Sequence, residues 1–346
     1  MSHFARRIRH PFQRKYPNAV LKFVRYLALF AVTASLCLAC QSDAPSITLT
    51  EPLIVGNSPW PGFIAQFIAE EKGFYQEEGI RIEEKHFPVS TDADSALIAD
   101  KLDLAWTGIS DLIKLANEDP SFRLIAVSDY SDGADGIVAS GVSSPKDLLG
   151  KTIAWEDQPL QALLLKAYLK GTGIDIQDLN LLLLPPDEAA DAFVSGRVDA
   201  AITFEPYLTS ATADGRGKVI FSSKDTNLIA GGLIGKKSTL TSHRKDIEAY
   251  LRALEAGLSF YESNPKEALE IAAAKLKLPV EELGPIMNNV RLFSPTEHAS
   301  VVFNAQDPLN IMDSIDFATE VSTDLGIVKP AVDASTLYDD SYVKDI

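Results

Sequence analysis

The stretch Val198-Asp199-Ala200-Ala201-Ile202-Thr203-Phe204-Glu205-Pro206-Tyr207 decides the fold. Small, β-branched and apolar residues over 198–204 follow a helix-like run at 187–195 that Gly196 ends, and Pro206 stops further ladder pairing. This is the pattern of a buried strand running into a polar loop, and in open α/β sheets such strand ends hold ligands. The same order occurs about a hundred residues earlier, where 91–100 reads as a helix. There Lys101-Leu102-Asp103-Leu104-Ala105-Trp106-Thr107 aligns with Arg197-Val198-Asp199-Ala200-Ala201-Ile202-Thr203. The repeat predicts two similar α/β lobes whose strand ends face one another, with a ligand cleft between them.

Composition narrows the function. The chain has 346 residues, enough for two domains, and 46% of them are hydrophobic, enough for real cores. The net charge of −16 includes seven Lys/Arg and no acid within the first 25 residues, so without that segment it becomes −23. Such a balance gives no electrostatic footprint for nucleic acid, whose backbone is held by clustered Lys and Arg. Both cysteines, Cys37 and Cys40, lie near the N-terminus, so the body has no thiol for a disulfide, a metal or a nucleophile. His86, His243 and His298 are scattered, which predicts solvated surface roles. Gly-rich phosphate loops, Gly-x-Ser-x-Gly elbows and paired-histidine zinc motifs do not occur, and neither a cofactor nor a metal is expected.

Basic residues over 6–25, an apolar run over 26–36 and then Cys37-Leu38-Ala39-Cys40 make the three parts of a secretory signal. Ala39-Cys40 resembles a bacterial lipoprotein cleavage site, which implies a signal peptide over 1–39, lipid on Cys40 and a tether over 40–50. Cys37 departs from the aliphatic residue usual three places before the modified cysteine. An uncleaved anchor or a plain signal peptide are the alternatives.

From residue 52 the pattern alternates. Strands are expected at 52–56, 80–87, 102–107, 123–127, 150–155, 181–184, 198–204, 219–222 and 229–234, and helices at 63–72, 111–117, 160–170 and 187–195. Residues 129–138 read as a polar, glycine-bearing link between the lobes, and 229–232 as the return. From Ser242 onward the pattern is helical: 243–264, 265–276, 280–289 and 307–325.

With these residues in hand, the chain resembles the type II solute-binding proteins of ABC importers, in the group for aliphatic sulfonates, taurine, nitrate and thiamine-pyrimidine precursors. Trp60-Pro61-Gly62, Gly73-Phe74-Tyr75, Asp103-Leu104-Ala105, 131–137, Gly150-Lys151-Thr152-Ile153-Ala154 and 196–206 carry the likeness. It implies an α/β two-lobed periplasmic binding protein fold, each lobe a mixed sheet flanked by helices: 51–132 with 233–346, and 133–232. It also implies an exported lipoprotein, held at the membrane by its N-terminal lipid, that captures a small-molecule solute and delivers it to an ABC permease and its ATPase without chemistry. An enzyme on a similar fold, or an extracellular sensing module, is the alternative.

Loops after strands supply the expected ligand contacts: Asn57, Ser58 and Trp60; Ser90 and Thr91; Thr107 and Ser110; Ser131 and Asp135; Trp155, Glu156 and Gln158; Thr203, Glu205 and Tyr207. Relatives that bind small oxyanions offer Gly or Ser at the start of the second-lobe helix. Here Glu156-Asp157-Gln158-Pro159 stands in that place, bringing carboxylates and a proline without an N–H. With tryptophans near the strand ends, this favours a solute bearing an amine or a flat nitrogen heterocycle.

Overall fold

A computed structural model describes residues 51–346 except 89, 225, 329–332 and 345, so the expected signal peptide, tether and Cys40 lie outside the described residues. Two mixed sheets organise the chain. The first contains β1 (Leu53–Asn57), β2 (Ile82–His86), β3 (Leu104–Gly108) and β4 (Phe122–Ser131). The chain then builds the second sheet from β5 (Asp135–Ala139), β6 (Thr152–Trp155), β7 (Asn180–Leu183), β8 (Ala200–Phe204) and β9 (Lys218–Ser222). It returns to the first through β10 (Ala230–Lys236) and β11 (Val290–Leu292).

The strand orders are β11-β4-β10-β3-β1-β2 and β7-β6-β8-β5-β9. Each contains a parallel triad, β2-β1-β3 or β7-β6-β8, followed by one antiparallel strand. The sequence repeat is therefore a structural one. It is kept by the same hydrogen bonds in both halves: Asp103 accepts the Ile54 amide at 2.8 Å, and Asp199 accepts the Thr152 amide at 2.9 Å. In return, the Asp103 and Asp199 amides donate to the carbonyls of Ile54 and Thr152. One carboxylate thus fixes the register of the first and third strands of each triad, so that Gly56 faces Ala105 and Ala154 faces Ala201.

Helices flank both sheets. After a tight turn at Pro61–Phe63 comes α1 (Ile64–Lys72), which Gly73 ends at φ 78°, where a side chain would be strained. Then follow α2 (Phe74–Glu77), α3 (Ser90–Ile98), α4 (Ile109–Glu118), α5 (Pro159–Leu169), α6 (Pro186–Val194) and α7 (Tyr207–Thr212). The remaining helices are α8 (Lys237–Ser242), α9 (Arg244–Ser263), α10 (Pro265–Leu276), α11 (Val280–Met287) and α12 (Ile311–Asp324). Two cores lie around the first sheet and two around the second, the latter built on Ile153, Ile202 and Leu164, and on Phe193 and Leu208. Among the described residues no helix is long and apolar enough to cross a membrane.

Three expectations need correction. The link read at 129–138 is mostly strand, since β4 runs to Ser131 and β5 starts at Asp135. The neighbouring crossing ties it down, where Ser131 Oγ lies 2.7 Å from Ser223 Oγ, which also accepts the Gly133 amide. The segment after Ser242 is not wholly helical: Val290–Leu292 pairs with β4 as an edge strand too short to show a period of two. His298 is buried rather than solvated. Its Nδ1 donates to the Ser294 carbonyl and its Nε2 accepts the Val127 amide, and burial pushes its pKa down to about 4.

Candidate functional site

A cavity of about 470 Å³ lies where the C-terminal ends of both parallel triads meet. Ser58, Pro59 and Trp60 follow β1, Pro88 and Ser90 follow β2, and Gly108 and Asp111 close β3. From the second sheet come Glu156 and Gln158 after β6, Pro185 after β7, and Phe204 and Tyr207 at the end of β8. Sheets with this topology open a crevice at such a point because their helices leave the strand ends in alternate directions. The two sides touch across it, Trp60 meeting Phe204 edge to face with ring centroids 6.3 Å apart.

Of the fifteen expected contacts, eight line this cavity: Ser58, Trp60, Ser90, Thr107, Asp135, Glu156, Gln158 and Tyr207. The other seven do not. Asn57 is held by Gln66, Glu84 and His86, Ser131 by Ser223, and Thr203 donates to the Pro186 carbonyl. Trp155 packs into a core of the second sheet, Ser110 is buried in the first turn of α4, and Thr91 gives its carbonyl to Ser95. Glu205 turns to its own helix start, accepting from the Thr209 amide at 3.1 Å and its hydroxyl at 2.8 Å.

The structure adds acids that the sequence reading passed over: Asp111, Asp129, Asp187 and Glu188 also line the cavity. Asp111, Asp187 and Glu188 sit in the first turns of α4 and α6, where helix amides favour a carboxylate, and that position was the legible signal. Asp129 offered none, because it lay inside the supposed link. Its Oδ2 accepts from Trp60 Nε1 at 3.0 Å and its Oδ1 from Ser128. None of the described lining residues is Lys, Arg or His.

Burial dominates the electrostatics. It pushes Asp111 and Asp129 up to about 6, and Asp135 and Glu156 up to about 7. Neighbouring carboxylates add to it: Asp129 and Glu205 raise Asp135, while Asp111 and Asp187 raise Glu156. Behind Asp111, Asp94 is also raised by burial and by Asp111, with Thr107 and Lys114 opposing. Asp111 Oδ1, Asp135 Oδ2 and Gln161 Nε2 belong to lining residues but are themselves buried, with no hydrogen-bond partner.

These shifts have a sign that can be checked. A carboxyl whose folded pKa stands above its unfolded value of about 4 stabilises the fold fully below that value and ceases to as pH rises through 6–7. His298, held neutral, works oppositely below about pH 6.5. The unliganded protein should therefore lose about 1 kcal/mol or more of stability between about pH 6.5 and pH 8, where the loss from the carboxyls outweighs the small remaining gain from His298. Denaturant unfolding at the two pH values checks this, and equal or greater stability at the higher pH would contradict it.

An α/β fold of two mixed sheets, with a ligand-sized cavity at their facing strand ends, defines the periplasmic binding protein class. The chain belongs to the NMT1/THI5-like family, whose model matches residues 60–268. It is 27% identical over 212 residues to a Bacillus subtilis (strain 168) protein named provisionally as aliphatic sulfonates-binding; the match covers 59% of this chain and 64%, just under two thirds, of that protein. The taurine-binding periplasmic protein of Escherichia coli (strain K12) is 22% identical, over 66% of this chain and 70% of that one. The fold matches the alkanesulfonate-binding protein SsuA from Xanthomonas axonopodis pv. citri, bound to MOPS, with a TM-score of 0.70 at 16% identity, covering 84% of this chain and 99% of that one.

Proposed function

We propose that the protein is the extracytoplasmic solute-binding component of an ABC importer, taking a small solute with an amine or a flat nitrogen heterocycle into the cleft and passing it to the permease and its ATPase. The observation that carries this reading is a cavity between facing strand ends lined by six carboxyl side chains, aromatic rings and no described base. Relatives named for binding sulfonates and taurine support a solute-binding role; the cavity argues against their sulfonates. Helix starts at α4, α5 and α6 could attract an oxyanion, by about 0.3–1 kcal/mol each. Pro159 and Pro186 lack the needed N–H, however, and Asp111, Asp187 and Glu188 already occupy the first turns. A carboxylate about 5 Å from an oxyanion opposes it by about 3 kcal/mol at an effective dielectric of about 20. Repulsion wins. A carboxyl that keeps its proton can instead donate to a ring nitrogen, which keeps a heterocycle beside the amine.

Capture rests on closure of lobes divided as 51–132 with 233–346, and 133–232, with no chemistry on the solute. The mature chain has no thiol beyond Cys40, and no histidine lines the described cavity. Solution scattering tests it: the radius of gyration should fall when a bound amine closes the cleft. Binding without any change, starting from an open form, would contradict it.

Export and lipid on Cys40 belong to the same reading, supported by the order of basic, apolar and small residues before it. Cys40→Ala should release the protein from membranes into the soluble fraction, while Cys37→Ala leaves it bound. The reverse pattern would remove Cys40 from the role.

A further inference from the structure

Resting on that reading of the cleft, we propose that Asp129 is a positioning residue rather than a contact of the solute: seated in a gap left by Gly62 and Gly231, its carboxylate holds the Trp60 indole in place as a wall of the cleft. Asp129 is 1% exposed, and both its oxygens already have protein donors, Trp60 Nε1 at 3.0 Å on Oδ2 and Ser128 Oγ at 2.6 Å on Oδ1. Trp60 is only half-buried, so the ring offers more surface to a solute than the acid does.

Two glycines make the seat. A Cβ on Gly62 would stand 2.3 Å from Asp129 Oδ1 and 2.3 Å from Trp60 Nε1. One on Gly231 would stand 2.7 Å from the same Oδ1 and 2.5 Å from Ser128 Oγ. Neither glycine is among those at positive φ, so backbone conformation does not call for glycine at either place. Space does. One carboxylate takes up the room of two missing side chains, one in the turn after β1 and one on β10.

The seat joins distant parts of the cleft. Asp129 and Gly231 are register partners across β4 and β10, and beside them the Ser131 amide donates to the Ile229 carbonyl, where the chain leaves and re-enters the first sheet. From Asp129 the bond to Trp60 leads on to Phe204 of the other sheet, through the edge-to-face contact of the rings. A buried acceptor parted from its donor is disfavoured, so a shift of the carboxylate either carries the indole with it or breaks the bond. Either outcome moves the wall.

The indole N–H signals of the folded protein test this without a ligand. The three tryptophans are Trp60, Trp106 and Trp155, and Trp60→Phe identifies the first in a proton–nitrogen correlation spectrum. Hydrogen exchange at the Trp60 indole should be at least about tenfold faster in Gly62→Ala and in Gly231→Ala than in the parent. Trp106, whose Nε1 donates to the Tyr250 hydroxyl at 2.9 Å, should keep the parent's rate. Hexylamine affinity then separates positioning from packing. Gly62→Ala should weaken it about tenfold in the parent but less than about threefold beside Trp60→Phe, which has no Nε1 for Asp129 to hold. Equal losses in both backgrounds, or unchanged exchange in both alanine variants, would overturn the inference. If hexylamine does not bind while exchange changes as expected, the seat stands and the amine reading falls. Gly231→Ala approaches the same oxygen from another strand, and it carries the test if Gly62→Ala fails to fold.

Discussion

Trp60→Ala is expected to weaken solute binding about a hundredfold, or about 2.7 kcal/mol. Three losses combine. The indole faces the cavity, and a desolvated cation over an aromatic ring gains about 2 kcal/mol. Its Nε1 is one of the two hydrogen-bond donors to buried Asp129, and an acceptor that loses its donor is disfavoured by about 1–3 kcal/mol. Its edge-to-face contact with Phe204 is a point where the two sides of the cleft touch. The Asp129 term is present with or without solute and so falls partly on stability, which keeps the binding loss below the sum. Trp60→Phe retains the ring but not the donor, and should lose about tenfold. Calorimetry on folded variants checks both; an alanine variant within threefold of the parent would remove Trp60 from the site.

The second large effect concerns stability. Gly257 lies in α9 where that helix crosses α1, and a Cβ there would stand 2.5 Å from the Ala65 carbonyl oxygen. Helix propensity alone says that Gly257→Ala should stabilise by about 1 kcal/mol. The contact says the opposite, because backbone cannot move aside as a flexible side chain can. Gly257→Ala should therefore destabilise by about 1–2 kcal/mol and Gly257→Val by about 3. Denaturant midpoints decide the sign, and a more stable alanine variant would show that the helices separate at little cost.

Much of the fold was legible because its determinants repeat. Asp103 and Asp199 stand at the same place in two matching segments, and the same hydrogen bonds in both lobes explain why the residue type recurs. Trp60, Glu156, Gln158 and Tyr207 were legible as loop residues just past strands, which is where the cavity lies. The misreadings share a cause: a polar residue's partner cannot be read from its neighbours in sequence. Glu205 looked free but meets Thr209 one turn on, and Ser131 meets Ser223 from the returning chain. His298 looked like a surface residue and is tied to Val127, 171 positions away. Asp129 was hidden because a long strand with polar residues at its end resembles a loop.

The acidic cleft should select an ammonium over a sulfonate. Calorimetric titration at about pH 8 with an alkylamine and an alkanesulfonate of the same carbon chain compares the two charges on equal apolar area. The amine should bind at least about tenfold more tightly. A sulfonate that bound more tightly than the amine would contradict the account.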